Sequence, residues 1–149
     1  MPKYMRFAIM IATSTVVMFV LMYLNTFSPD HIFWSETRAY MALIMGATMA
    51  IVMLGFMLHM FTSRAANVGI FCASVVVFAL ALYLVRSQAT IEDVAYMRAM
   101  IPHHSIAILT SERANISDPR VRQLADEILE SQRREIDEMK ALIADLQSR

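Results

Sequence analysis

Three long stretches without a charged side chain occupy the N-terminal half of this chain, and they restrict its folding more than any other feature. The first lies between Arg6 and Asp30, with its apolar part at 7–24. The second lies between Arg38 and Arg64, with its apolar part at 40–61. The third runs over 67–85 and stops at Arg86. Each is close to the ~20 residues a helix needs to cross the hydrocarbon core of a bilayer. The composition agrees: 58% of the 149 residues are hydrophobic, 17% are charged and only three are glycine, a membrane-protein balance rather than a soluble one. Three transmembrane helices are therefore expected in a domain at 1–86.

Lys3 and Arg6 precede the first run in the manner of a signal peptide. The run is longer than a signal core, however, and its exit, YLNTFSPDH, lacks a small-residue cleavage pattern, so an uncleaved anchor is expected. Lys3, Arg6 and Arg64 fall on one side of the three spans. Arg38, offset by Asp30 and Glu36, falls on the other side with Arg86. The basic-residue rule then places the N-terminus in the cytoplasm and the chain after Arg86 outside it, in the periplasm of a bacterium. A formal net charge of zero argues against nucleic acid as a partner. Cys72, alone and inside an apolar run, has no partner for an internal disulfide.

Methionine is over-represented, with 14 residues. In the second run Met41, Met45, Met49, Met53 and Met57 recur every four residues beside a small-residue row, Ala42, Gly46 and Ala50. A thioether track for Cu(I) would produce such a column, and so would packing or lipid-facing methionine next to a close helix contact. A four-residue repeat drifts about 40° per step on an ideal helix, so five such residues spread over a broad face. Packing is the favoured reading here, and His59 near the end of this run reads as an interfacial residue.

From Ser87 onward charges become frequent and apolar residues take a helical period. Thr90 followed by Asp93 matches a helix-opening pattern. That helix should run to about Ala114. Asp118 as cap and Pro119 at the first helical position open another, ending near Gln147. The region 90–149 thus reads as an antiparallel two-helix hairpin. On its second helix Leu129, Gln132, Ile136, Met139, Ile143 and Leu146 form a seam with Glu135 at its edge. On its first helix Val94, Met97, Ile101, His104 and Ile108 do the same. At about 100° per residue, Met97, Met100, His103 and His104 share an arc of about 120°, with Asp93 one turn before Met97. Pro102 removes a helical hydrogen bond beneath the histidine pair, costs about 3 kcal/mol in a merely structural helix, and should bend it. Each residue taken singly reads as core packing. The set together reads as a site.

These residues resemble a known family. DVAYMRAMIPHHSIAI followed by DPRVRQLADEILESQRREIDEMKAL is similar to the domain of unknown function 305. The matching positions are Asp93, Met97, Met100, Pro102, His103, His104, Ala107, Ile108, Pro119, Leu124, Ala125, Gln132, Glu135, Ile136 and Met139. The resemblance covers roughly the last 60 residues. It implies a ferritin-like helical bundle, an extracytoplasmic setting and, for some members, copper or silver binding through Met and His. Some relatives carry the His-His motif twice and complete a four-helix bundle alone, whereas this chain carries it once. A lone hairpin of this size buries little apolar surface, so a homodimer of hairpins or docking on another membrane subunit is expected.

The fold class that results is all-α: three transmembrane helices followed by half of a ferritin-like four-helix bundle. Thioether plus imidazole selects Cu(I), with Ag(I) as its mimic. Zinc would prefer Cys, more His or carboxylate, and di-iron bundles need Glu-x-x-His pairs that this chain lacks. The ligand candidates are Met97, Met100, His103, His104 and Met139, with Asp93, Gln132 and Glu135 orienting the imidazoles. A membrane-tethered copper-binding protein that buffers or hands on the metal is the leading expectation. The alternative is a structural or assembly subunit without metal. No nucleophile–base pair or phosphate-cradling glycine loop points to an enzyme.

Overall fold

The computed structural model describes residues 2–148. Among the described residues there is no strand. Five helices, α1 (Lys3–Leu21), α2 (Glu36–Phe56), α3 (Arg64–Ser87), α4 (Asp93–Arg113) and α5 (Pro119–Gln147), are joined by short links and one 3-10 turn at Pro29–His31. Helices α1, α2 and α3 are each long and apolar enough to cross a bilayer, where a helix is the form that satisfies its own backbone groups. The protein is a membrane protein. Its chain divides into two compact units, one built from the residues up to Met22 with Thr37–Thr90, the other from Tyr23–Glu36 with everything from Ile91 onward.

In the first unit the small residues of α2 have a definite use. Ala42, Gly46, Ala47, Ala50 and Leu54 are the buried positions of that helix. At Gly46 a Cβ would meet Oγ1 of Thr15 at 2.2 Å, so glycine is what lets α1 approach, as at small-residue contacts between membrane helices generally. The Thr15 hydroxyl satisfies itself on the carbonyl of Ile11 at 2.8 Å. Phe7, Ala50, Leu54 and Phe61 form the apolar core, with Met53 and Met57 packed against it; packing is what these two methionines do. The Tyr4 hydroxyl ties the start of α1 to the α2–α3 turn, donating to Oδ1 of Asn67 at 2.9 Å and accepting from the Ser63 amide at 3.0 Å.

In the second unit α4 and α5 run antiparallel, since their contacts step in opposite directions: Arg122 reaches the Ser111 carbonyl at 2.7 Å, and Glu135 lies beside His104. Helix α5 opens as its sequence requires, with the Asp118 carboxylate accepting from the Arg120 amide at 2.9 Å and Pro119 in the first turn. Helix α4 does not open at Thr90. Its N-cap is Glu92, without a side-chain cap, because Thr90 stands too far ahead of the first turn. The Thr90 hydroxyl lies instead 2.9 Å from that of Tyr40. Helix α4 continues through Pro102 without interruption.

The core of this unit is Met97, Ile101, Ile108, Ile136 and Ile143, against which Phe27, Phe33, Val94 and Met139 pack. Phe27 and Phe33 come from the α1–α2 connector, which thus supplies a third wall to the two-helix core. A sequence division at 86–90 leaves that connector with the membrane helices; its packing puts it with α4 and α5. The fully buried hydroxyl of Ser105 holds it there, accepting from the Phe27 amide at 2.7 Å and lying 2.9 Å from Nδ1 of His31. Asp30 pairs with Lys140, and the Arg133 guanidinium stands 5.7 Å from the centre of the Phe27 ring. An amphipathic pair of helices is marginal alone, and this strap covers apolar surface the pair would otherwise expose.

Candidate functional site

Helical repeat builds a cleft of about 570 Å³ along one side of the α4–α5 pair. Asp93, the adjacent pair Tyr96 and Met97, Met100 and His104 line it from α4, in successive turns three or four residues apart. Glu135, the pair Glu138 and Met139, Leu142, and the pair Asp145 and Leu146 line it from α5 at the same interval of one turn. The two periodic stripes face each other because the remaining faces are committed elsewhere: Ile101, Ser105 and Ile108 to the core and connector, and other charged residues of α5, such as Arg133, Arg134 and Asp137, to solvent.

Of the residues expected from the sequence, Met97, Met100, His104 and Met139 all reach this cleft, together with Asp93 and Glu135. Met97 is buried, Met100 and Met139 are half-buried, and Asp93 is exposed at the rim. His103 and Gln132 are not among the lining residues. His103 is exposed, its ring centre 6.2 Å from that of His104 and tilted 59° to it, and Gln132 is half-buried. Adjacent helical residues point about 100° apart, so when His104 takes the cleft, His103 is turned out of it.

The His104 environment is specific. Its Nδ1 lies 3.1 Å from Oε2 of Glu135 and is buried, yet the pair is not aligned as a hydrogen bond, which leaves that nitrogen without a formed partner. The other carboxylate oxygen of Glu135 accepts from the Ser131 hydroxyl at 2.7 Å, which fixes the acid against the ring. Burial pushes the His104 pKa below that of an ordinary imidazole, the Glu135 charge opposes that shift, and His103 adds to it. Burial thus favours the neutral, lone-pair-bearing ring. With Nδ1 turned to Glu135, Nε2 is the nitrogen left for a ligand. Three thioethers share the cleft with it.

Among the described residues no group of three or more His, Cys, Asp or Glu is close enough together to hold a metal ion. Four carboxylates, Asp93, Glu135, Glu138 and Asp145, nevertheless stand around the cleft, a lining that favours cations over anions. Sequence reasoning missed Glu138, Asp145, Tyr96 and Leu142, although all four extend the same three-and-four spacing from Glu135, Met139 and Met100.

Fold and site together define a class: a helical membrane protein whose terminal helix pair carries a thioether–imidazole cleft beside its apolar core. Comparison with known proteins places it further. The family described as Domain of unknown function (DUF305) matches residues 84–149. Over 142 residues, covering 90% of this chain and 91% of the relative, the chain is 32% identical to "Uncharacterized protein L153" of Acanthamoeba polyphaga mimivirus. The chain belongs to the DUF305 family. No solved structure matches it significantly.

Proposed function

We propose that this protein is a membrane-anchored metal-handling protein whose hairpin takes Cu(I), or Ag(I) in its place, outside the cytoplasm, to buffer the ion or pass it on. The observation that carries this reading is the cleft that Met97, Met100, Met139 and the half-buried His104 line together, with Glu135 beside the His104 ring. Thioether and neutral imidazole suit a soft monovalent cation. A carboxylate behind the far nitrogen of a ligating histidine is the usual means of fixing its tautomer and raising its basicity. Glu135, held by Ser131 and 3.1 Å from Nδ1 of His104, supports that role. Met97, Met100, Met139 and His104 would hold the ion; His103, exposed beside them, would meet it only on its way in or out. The protein is proposed to act by binding and release rather than as an enzyme.

The test is a Cu(I) titration of the full-length protein in detergent against a chromogenic chelator, with metal analysis of the protein as purified. The reading expects one tight Cu(I) site that weakens about 100-fold, ~2.7 kcal/mol, in a His104→Ala variant that keeps its helical content. An affinity unchanged by that substitution refutes it.

A second reading, as an assembly subunit of a larger membrane complex, rests on Val121, Leu124 and Ile128, large apolar residues exposed along the first half of α5. A second copy packed on this row would make the four-helix bundle that the family resemblance implies. Sedimentation in detergent separates a dimer from a monomer, and a Leu124→Asp variant should shift a dimer to monomer.

A further inference from the structure

The α1–α2 connector has two faces. After its 3-10 turn the chain is extended at Ile32, and side chains then alternate as on a strand. Phe33 packs on the hairpin core and Ser35 is buried. Ile32 and Trp34 point the other way, 51% and 60% exposed. Two large apolar side chains turned outward side by side need a covering.

What lies beside them follows from the chain. Trp34 precedes Glu36, the first residue of α2, by two positions, and α2 is long and apolar enough to cross the bilayer. Two residues of extended chain reach at most about 7 Å. Trp34 is thus tied within that distance of the end of a membrane-crossing helix. The other end of the connector is fastened in the same way, because α1 finishes at Leu21. Leu24, three residues beyond it, is 75% exposed. A surface anchored at both ends by spanning helices meets lipid at high local concentration before it meets anything else. Tryptophan suits that depth, since its large amphipathic ring is favoured at the membrane–water interface.

We infer that Ile32 and Trp34 form a lipid-contacting edge, resting at the headgroup–acyl boundary of the leaflet where α1 ends and α2 begins. Ile32, Trp34 and Leu24 carry no charge, so the edge recognises the apolar boundary itself and should work in a zwitterionic bilayer.

Trp34 is the chain's only tryptophan, so the intrinsic fluorescence of the unaltered full-length protein reports on this edge alone. The protein is reconstituted in phosphatidylcholine vesicles. Expected is an emission shifted to shorter wavelength than that of free indole. It should lose most of its intensity when the lipid is brominated high on the acyl chain, and little to aqueous iodide. Strong iodide quenching with no response to brominated lipid would place Trp34 in water and overturn the inference. A short-wavelength emission insensitive to both quenchers would show that protein, a second copy or another partner, covers the edge, and would overturn it equally. Neither result bears on whether the cleft binds copper, which the chelator titration decides separately.

Discussion

Methionine is placed in both units of this protein, and it does different things in each. On α2 and just beyond its end, Met53 and Met57 pack against an apolar cluster that holds Phe7, Leu54 and Phe61. In the hairpin, Met97, Met100 and Met139 line one cleft together with His104 and its neighbouring carboxylate, Glu135. The thioether is the same group, a flexible filler and a soft ligand. Its company decides which property matters. A methionine-rich sequence is therefore weak grounds for a metal site until a second donor type is shown to share the same face.

The largest effect should come from testing that difference directly. Changing Met97, Met100 and Met139 together to Leu, which nearly conserves volume, is expected to weaken Cu(I) binding by about 100-fold or more, ~2.7 kcal/mol. The same change at Met45, Met49 and Met53 should leave the chelator titration unaltered. Equal losses in the two triple variants would erase the distinction between the units. Next in size is a packing effect confined to the membrane helices. Gly46→Leu drives a side chain into Thr15 and should lower stability by about 1–3 kcal/mol, read as a drop in unfolding temperature in detergent. Adding Thr15→Ala should return part of it, while Cu(I) affinity stays put in both.

A smaller effect sharpens the account of the cleft. Glu135→Gln keeps the shape beside His104 but removes the charge, and should cost about 10-fold in Cu(I) affinity. The His103→Ala variant should change it less. The smallest concerns the connector. Burial holds the His31 pKa below the ordinary imidazole value, against the pull of Asp30, with Lys140 reinforcing the shift and Asp137 opposing it. The folded unit thus prefers the neutral ring, so its contribution is complete above about pH 6.5 and is lost as pH falls below that through the depressed value. Hydrogen-exchange protection of the Phe27 amide, bonded to Ser105, should be lower at pH 5 than at pH 7.5, after correction for intrinsic exchange. A Ser105→Ala variant should lose about 1 kcal/mol of that protection and much of its pH dependence.

The parts of this structure that the sequence displays are those set by local rules. Asp118 and Pro119 mark the start of α5 because a cap and a proline act within one turn. The three charge-free runs mark α1, α2 and α3, although α1 stops at Leu21, earlier than its apolar run. Met97, Met100, His104 and Met139 meet in the cleft because helical periodicity fixes which residues share a face. That rule also shows its coarseness at His103: an arc of about 120° is wide enough to take in both a cleft and the solvent beside it. Periodicity says nothing about contacts between residues 78 and 74 positions apart, the separations from Ser105 to Phe27 and His31. The sole local trace of that strap is the alternation of Phe33 and Ser35 with Ile32 and Trp34, too short to distinguish from an ordinary loop.

That strap makes the anchor and the hairpin inseparable in a practical sense. A fragment cut near residue 90 would carry α4 and α5 but leave Phe27 and Phe33 behind, stripping one side of Ile101, Ile108 and Ile136 bare; such a truncation should aggregate unless residues 23–36 are supplied with it. The likeness to the mimiviral relative extends over both halves rather than the hairpin alone, as it would if the two were inherited as a single piece. Exchanging these membrane helices together with their connector for an unrelated anchor would, by the same token, change the interior of the hairpin domain.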